Sequence, residues 1–210
     1  MSELSSYHKI VENIKSLPSF SGIITKLLEV VNSSDTSADD AAILIEKDPA
    51  LTSAIIRIAN SAFYGIPRSI SSVTSAVVIL GFNTIRTITL SHSIMKSFSS
   101  VNLNMEFDRT RFWQHSIVCA QAAKLLAKRL MLSIVVDPES AFCAGILHDI
   151  GKLIFDEFEN DKFSQTCRYS KSNKVQLNKA EKKILGISHS EIGSILADKW
   201  ALPIDLEYAI

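Results

Sequence analysis

AFCAGILHDIGKLIF, residues 141–155, places the pair His148 and Asp149 in the middle of an apolar helical segment. Burying an aspartate without a partner is costly, so the sequence predicts that neighbouring groups satisfy Asp149. Successive side chains on a helix diverge by about 100°, so both can face one site only where the helix kinks or ends, which Gly151 permits. Lys152 shares their face. A cation beside an imidazole and a carboxylate suits a metal site that receives a phosphate.

Two interpretations of this pair are open: a metal site, or a buried polar pair that only hydrogen-bonds its neighbours. Two further histidines favour the metal site. His115 lies in a predicted helix over 108–130, in one column with Cys119 and Leu126, and the column predicts that His115 points into apolar packing. His189 lies in the first turn of a later helix, where the helix dipole favours the neutral imidazole that binds metal.

Composition limits the class of protein. The chain has 210 residues, of which 47% are hydrophobic and 21% charged, as in an ordinary globular domain. Its 22 basic and 22 acidic residues cancel, so no global field attracts nucleic acid or an anionic membrane. The three cysteines show no CxxC spacing, which indicates a reducing compartment. We find no signal peptide and no segment approaching the roughly 18 apolar residues of a membrane span, and predict a cytoplasmic, water-soluble protein.

Helical periodicity without sustained period-two alternation predicts an all-α fold of two helical lobes, residues 1–98 and 108–210, joined at 99–107. Ser37 caps one predicted helix, Asp48 caps another, and Gly81 ends a third that begins at Val73. We expect the lobes to pack into one unit, because each has apolar faces too wide for a lobe of that size to cover alone. The helix-turn-helix pattern at 72–98 offers too few cations to read DNA.

The order of the polar residues resembles the HD superfamily of metal-dependent phosphohydrolases. In that superfamily an early helix supplies one histidine, a later one supplies the His-Asp pair, and a distal aspartate closes the site. The run HDIGK, residues 148–152, is similar to that of the HD-GYP branch, which hydrolyses cyclic dinucleotides. The resemblance implies four candidate metal ligands, His115, His148, Asp149 and His189, and a candidate phosphate-binding residue, Lys152.

A narrower resemblance covers nearly the whole chain. Residues 45–90 are similar to the first half of the HDOD domain, a bacterial signalling output module related to the HD hydrolases. The matching runs are DPAL at 48–51, NSA at 60–62 and LG at 80–81, and the later FWQHS, HDIGK and HSEIG segments also fit. The resemblance implies a helical, generally non-catalytic domain, with its C-terminal lobe like an HD domain, that is joined to other signalling domains.

Two departures from these families bear on chemistry. The chain keeps the His-Asp pair and the lysine that many HDOD members have lost. No distal aspartate is evident, because Asp198 lies off the face of His189 and Asp205 lies in a short terminal segment. A site that lacks a ligand holds a metal weakly or not at all.

We therefore predict a non-catalytic signalling output or interaction module, with no required cofactor, that acts through other signalling domains or proteins. The alternative is a phosphohydrolase using Mn, Fe, Zn or Mg on a nucleotide or cyclic dinucleotide, and a third interpretation is a sensor that binds such a ligand without turnover. Neither nucleic acid nor a membrane is an expected partner. The terminal helix lacks a stop signal before Ile210, which predicts that the native chain continues.

Overall fold

The structure, a computed structural model, describes residues 10–14, 22–33, 35–61, 66, 69–98, 104, 106–130, 136–202 and 204–210. Regular secondary structure in these ranges is entirely α-helical, which confirms the predicted class. The helices are α1 (residues 10–14), α2 (Gly22–Asn32), α3 (Ala38–Ile45), α4 (Pro49–Ala59), α5 (Val73–Ser97), α6 (Arg109–Leu130), α7 (Pro138–Leu147), α8 (Gly151–Phe158), α9 (Asn160–Asn173), α10 (Leu177–Ile184), α11 (His189–Lys199) and α12 (Ile204–Glu207).

The helices form two compact units. The N-terminal unit is Phe20–Ser97, and the C-terminal unit is Phe98–Ile210 together with Met1–Ser19. The predicted lobes, 1–98 and 108–210, and their packing into one unit remain predictions. Most of the predicted joint at 99–107 lies outside the described residues.

Helix starts in the N-terminal unit follow the signals in the sequence. The hydroxyl of Ser37 accepts a hydrogen bond from the amide of Asp40 at 3.2 Å, which begins α3 as predicted. Asp48 Oδ1 accepts from the amides of Ala50 and Leu51 at 3.0 and 3.1 Å, and a proline occupies the first position of α4. These caps orient the apolar faces of α3 and α4 toward one core that α2 and α5 complete.

The NSA motif also has a structural function. Asn60 Nδ2 donates to the carbonyl of Ile70 at 2.8 Å, and Asn60 Oδ1 accepts from the amide of Ile70 at 2.7 Å. These two hydrogen bonds hold the end of α4 against the segment that enters α5. Further along, Gly81 has φ 75° and ψ 158°, which confirms the predicted helix end, so α5 consists of two helical segments.

The helix α5 reaches the length of a membrane span, contrary to the expectation that no segment would. An 18-residue stretch within it has a mean hydropathy of 1.5, but 56% of that stretch is buried inside the protein. The dihedral angles of Gly81 also depart from helical values within it. Such burial is typical of a core helix, and the water-soluble character and cytoplasmic location remain predictions.

Two glycines permit the close helix packing of the C-terminal unit. A Cβ on Gly145 in α7 would overlap the backbone of Ala120 in α6. A Cβ on Gly151, the first residue of α8, would overlap the carbonyl oxygen of His189 at the start of α11. The second approach brings α11 against the turn that carries the His-Asp pair.

The buried face of α6 differs from the predicted one. We expected His115 to point into apolar packing, and that is wrong: 56% of its side chain is exposed, as is 58% of Leu126. The buried positions are instead Phe112, Ser116, Ala120, Lys124 and Ala127. Lys124 takes an interior position because its ammonium pairs with Glu139 at 2.5 Å, so a pattern of apolar residues alone assigned the wrong face.

Candidate functional site

The His-Asp pair lies in a turn between two helices. α7 ends at Leu147 and α8 begins at Gly151, which confirms the predicted kink or helix end near the pair. The turn lets His148 and Asp149 face the same place, and Lys152 joins them from the first turn of α8. The Nζ atom of Lys152 lies 2.5 Å from Asp149 Oδ2.

Asp149 is the centre of the site. It is 7% exposed, and three imidazoles direct their Nε2 atoms toward its carboxylate. His148 Nε2 lies 3.3 Å and His115 Nε2 3.8 Å from Oδ2, and His189 Nε2 lies 3.4 Å from Oδ1. The structure thus brings all five predicted site residues together.

Asp149 carries a negative charge in this environment. Burial alone would raise the pKa of its carboxyl, but hydrogen bonds with His148 and Lys152 and their positive charges outweigh burial and hold the pKa well below its usual range. The same hydrogen bond with Asp149 raises the pKa of His148, although burial opposes it. A buried carboxylate that stays ionised attracts a cation, and here Lys152 already supplies one.

Backbone and carboxylate acceptors orient two of the imidazoles. The carbonyl of Gly145 accepts a hydrogen bond from His148 Nδ1 at 2.9 Å. Nδ1 therefore carries a proton, and when the ring is neutral Nε2 has the lone pair. His189 Nδ1 donates in the same way to Glu181 Oε2 at 2.6 Å, and that oxygen also accepts from the amide of His189 at 2.9 Å. Metal-binding histidines are oriented by such acceptors.

Glu181 was missed from the sequence. Its helix, LNKAEKKI, reads as a charged surface segment, yet the side chain of Glu181 is fully buried. The residue lies eight positions before His189 on a different helix, so no local spacing links the two. α10 packs against α9, and Glu181 bonds to His189, the first residue of α11.

Cys119 is a second group that the sequence left without a function. Its Sγ lies 3.6 Å from Nε2 of His115, one turn away on α6. One donor atom from each of His115, Cys119 and His148 lies within 4.8 Å of the others. The four-residue spacing of His115 and Cys119 on one helix face is the signal that could have found this group.

The donors fit a divalent metal by type, since neutral imidazole nitrogens, a carboxylate and a thiolate are all ligands of transition metals. The ammonium of Lys152 does not fit a metal bound to the same carboxylate oxygen, because two cations would then repel each other at close range. Of the acids considered as a distal ligand, Asp198 is exposed on α11, and the side chain of Asp205 lies outside the described residues.

The family profile of the HDOD domain matches residues 17–210. The chain belongs to the HDOD family. The crystal structure of an HDOD domain protein of unknown function from Geobacter sulfurreducens superposes with a TM-score of 0.82 and 29% identity, covering 99% of this chain and 68% of that one. A candidate phosphohydrolase from Shewanella amazonensis SB2B has a TM-score of 0.77 and 30% identity, covering 95% and 69%.

A longer curated protein also matches the chain over most of its length. An uncharacterized protein of Treponema pallidum (strain Nichols) is 20% identical over 194 residues. The match covers 92% of this chain and 37% of that protein, so the chain spans well under half the length of this relative.

Proposed function

We propose that this chain is a non-catalytic signalling output or interaction module of the HDOD type, in which Lys152 takes the position of the metal. The observation that carries the proposal is the 2.5 Å ion pair between Lys152 Nζ and Asp149 Oδ2. Both partners are largely buried, with 19% and 10% of their side chains exposed. The carboxylate that would bind a metal in an HD hydrolase therefore has an internal partner.

The ion pair opposes a hard divalent ion for an electrostatic reason. Two unit charges 4 Å apart interact by about 4 kcal/mol at an effective dielectric of about 20, and a divalent ion doubles that repulsion. A metal on Asp149 would therefore have to displace Lys152 or overcome its charge. Phosphoester hydrolysis by a metal requires the ion to be held in fixed, open coordination, which this competition disfavours.

Membership of the HDOD family supports the signalling part of the proposal. The function would be exerted through other signalling domains or proteins that contact this fold. In that role the polar site stabilises the turn between α7 and α8, and the N-terminus of α11 against it.

The second candidate function is a metal-dependent phosphohydrolase acting on a nucleotide or cyclic dinucleotide. It is favoured by the three Nε2 atoms that converge on Asp149 and by the acceptor that Glu181 provides to His189. When bound, the metal would polarise phosphate and activate water. The residues that would hold it are His115, His148, Asp149 and His189, with Lys152 released to bind phosphate.

A turnover assay separates the two functions. Purified protein is incubated with Mn²⁺, Fe²⁺ or Zn²⁺ and with linear or cyclic dinucleotides, beside Asp149→Ala and the matched control Asp198→Ala. We expect no hydrolysis above background in any sample. Metal-dependent hydrolysis that is kept in Asp198→Ala and lost in Asp149→Ala would overturn the non-catalytic proposal and establish the second function.

A further inference from the structure

A thiol lies beside the candidate HD site without belonging to its ligand set. Cys119 Sγ is 3.6 Å from Nε2 and 3.9 Å from Nδ1 of His115. His148 completes the group, and its ring centroid lies 5.3 Å from that of His115. The three residues come from two places in the chain, α6 and the turn after α7.

The separation of two of these donors, on Cys119 and His115, matches that of ligands around one metal ion. Zn–S bonds of about 2.3 Å and Zn–N bonds of about 2.0 Å at a tetrahedral angle place sulfur and nitrogen about 3.5 Å apart. The observed 3.6 Å between Cys119 Sγ and His115 Nε2 agrees with that value. The hydrogen bond from His148 Nδ1 to the Gly145 carbonyl orients that ring. Its Nε2, which lies 3.3 Å from Asp149 Oδ2, becomes the third donor when the neutral ring gives up that contact.

We propose that His115, Cys119 and His148 form a thiolate-containing site for a borderline-soft metal, Zn²⁺, distinct from the carboxylate-centred HD ligand set. The two sets share both histidines and differ in the remaining donor. Asp149 is held by Lys152, whereas Cys119 has no competing cation among its described contacts. Thiolate selects Zn²⁺ over Mg²⁺ and Mn²⁺, which prefer oxygen ligands.

Solvent access suits such a site. The side chain of His115 is 56% exposed and Cys119 is half-buried, so a metal reaches both from solvent. Three protein ligands leave one tetrahedral position open for water or a ligand. Bound Zn²⁺ would also link α6 to the turn after α7 and would stabilise the protein by an amount that grows with the logarithm of metal concentration above the Kd.

The test uses tag-free full chain titrated with Co²⁺, which replaces Zn²⁺ and reports its ligands by absorption. We expect the d–d bands of four-coordinate cobalt and a sulfur-to-cobalt charge-transfer band in the near ultraviolet. Cys119→Ser should lose the charge-transfer band. It should also weaken Zn²⁺ binding by more than about tenfold, because loss of a residue that only orients a ligand already lowers metal affinity by about that factor.

Three variants serve as controls. Cys167→Ala should keep the band, because burial raises the pKa of the Cys167 thiol to about 11 and keeps it protonated. Asp198→Ala should also keep the band, since Asp198 is exposed on α11 and is not a ligand of this site. Cys119→Ala, checked for native helix content by circular dichroism, repeats the Cys119→Ser result without a hydroxyl that could bind metal.

The outcomes are decisive for this site and separate from those of the turnover assay. No charge-transfer band in the native protein, or a band that persists in both Cys119 variants, overturns the thiolate site and leaves the non-catalytic proposal standing. Loss of the band in Cys167→Ala would also overturn it, because the sulfur ligand would then be Cys167 and not Cys119.

Discussion

Replacing Lys152 with methionine should destabilise the protein by leaving the charge of Asp149 without its nearest partner. Removing one member of a buried ion pair costs about 3–5 kcal/mol. Here 10% of the Asp149 side chain and 19% of the Lys152 side chain are exposed, and His148 still faces the carboxylate at 3.3 Å. We therefore expect Lys152→Met to lower the free energy of unfolding by about 2–3 kcal/mol. This value lies below the range for a fully buried pair because solvent partly reaches both side chains and His148 remains beside the carboxylate.

The assay is urea unfolding followed by helical circular dichroism. Lys171→Met is the matched control, because Lys171 pairs with Glu106 at 3.0 Å while 67% of its side chain is exposed. Such a surface pair contributes about 0–1 kcal/mol. Adding Asp149→Asn to Lys152→Met should recover part of the loss, since no orphaned charge remains. A Lys152→Met variant as stable as the control would refute this reasoning.

Two further predictions concern the scaffold. Gly151→Ala should cost about 3 kcal/mol or more, because its Cβ meets the backbone oxygen of His189, which cannot rotate away; native stability in urea would contradict that close approach. Asp48→Ala should cost about 1–2 kcal/mol at pH 7 by loss of a helix cap. Burial raises the pKa of Asp48, but the Leu51 amide and Lys96 outweigh burial and lower it. Its contribution is therefore present above the unfolded pKa of about 3.9 and lost as the pH falls through the folded value. A difference between variant and native protein that stays constant below pH ~4 would count against this cap.

The sequence predicted the features that depend on local chemistry. The helix caps Ser37 and Asp48 could be predicted because each has a short polar side chain directly before the first residue of its helix. The break at Gly81 and the turn at the His-Asp pair also follow from nearby glycines. The grouping of the three histidines came from resemblance to a family, because no local rule brings residues from α6, α7 and α11 together.

The sequence could not predict the features that depend on long-range packing. His115 is exposed because the interior of α6 includes Lys124, whose charge is satisfied by Glu139 on another helix. A hydrophobic pattern counts such a lysine as surface. The burial of Glu181 could not be predicted for the same reason. Its hydrogen-bond partner, His189, lies on a different helix, and only the folded chain brings the two side chains together.

The central claim is that Lys152, and not a metal ion, neutralises Asp149. The most direct measurement is a crystal structure of protein grown in excess Mn²⁺, with anomalous scattering recorded to locate manganese. We predict that Lys152 Nζ remains bonded to Asp149 Oδ2 and that no manganese peak lies at coordination distance from that carboxylate. A manganese ion bound by His115, His148 and Asp149, with Lys152 displaced, would contradict the account.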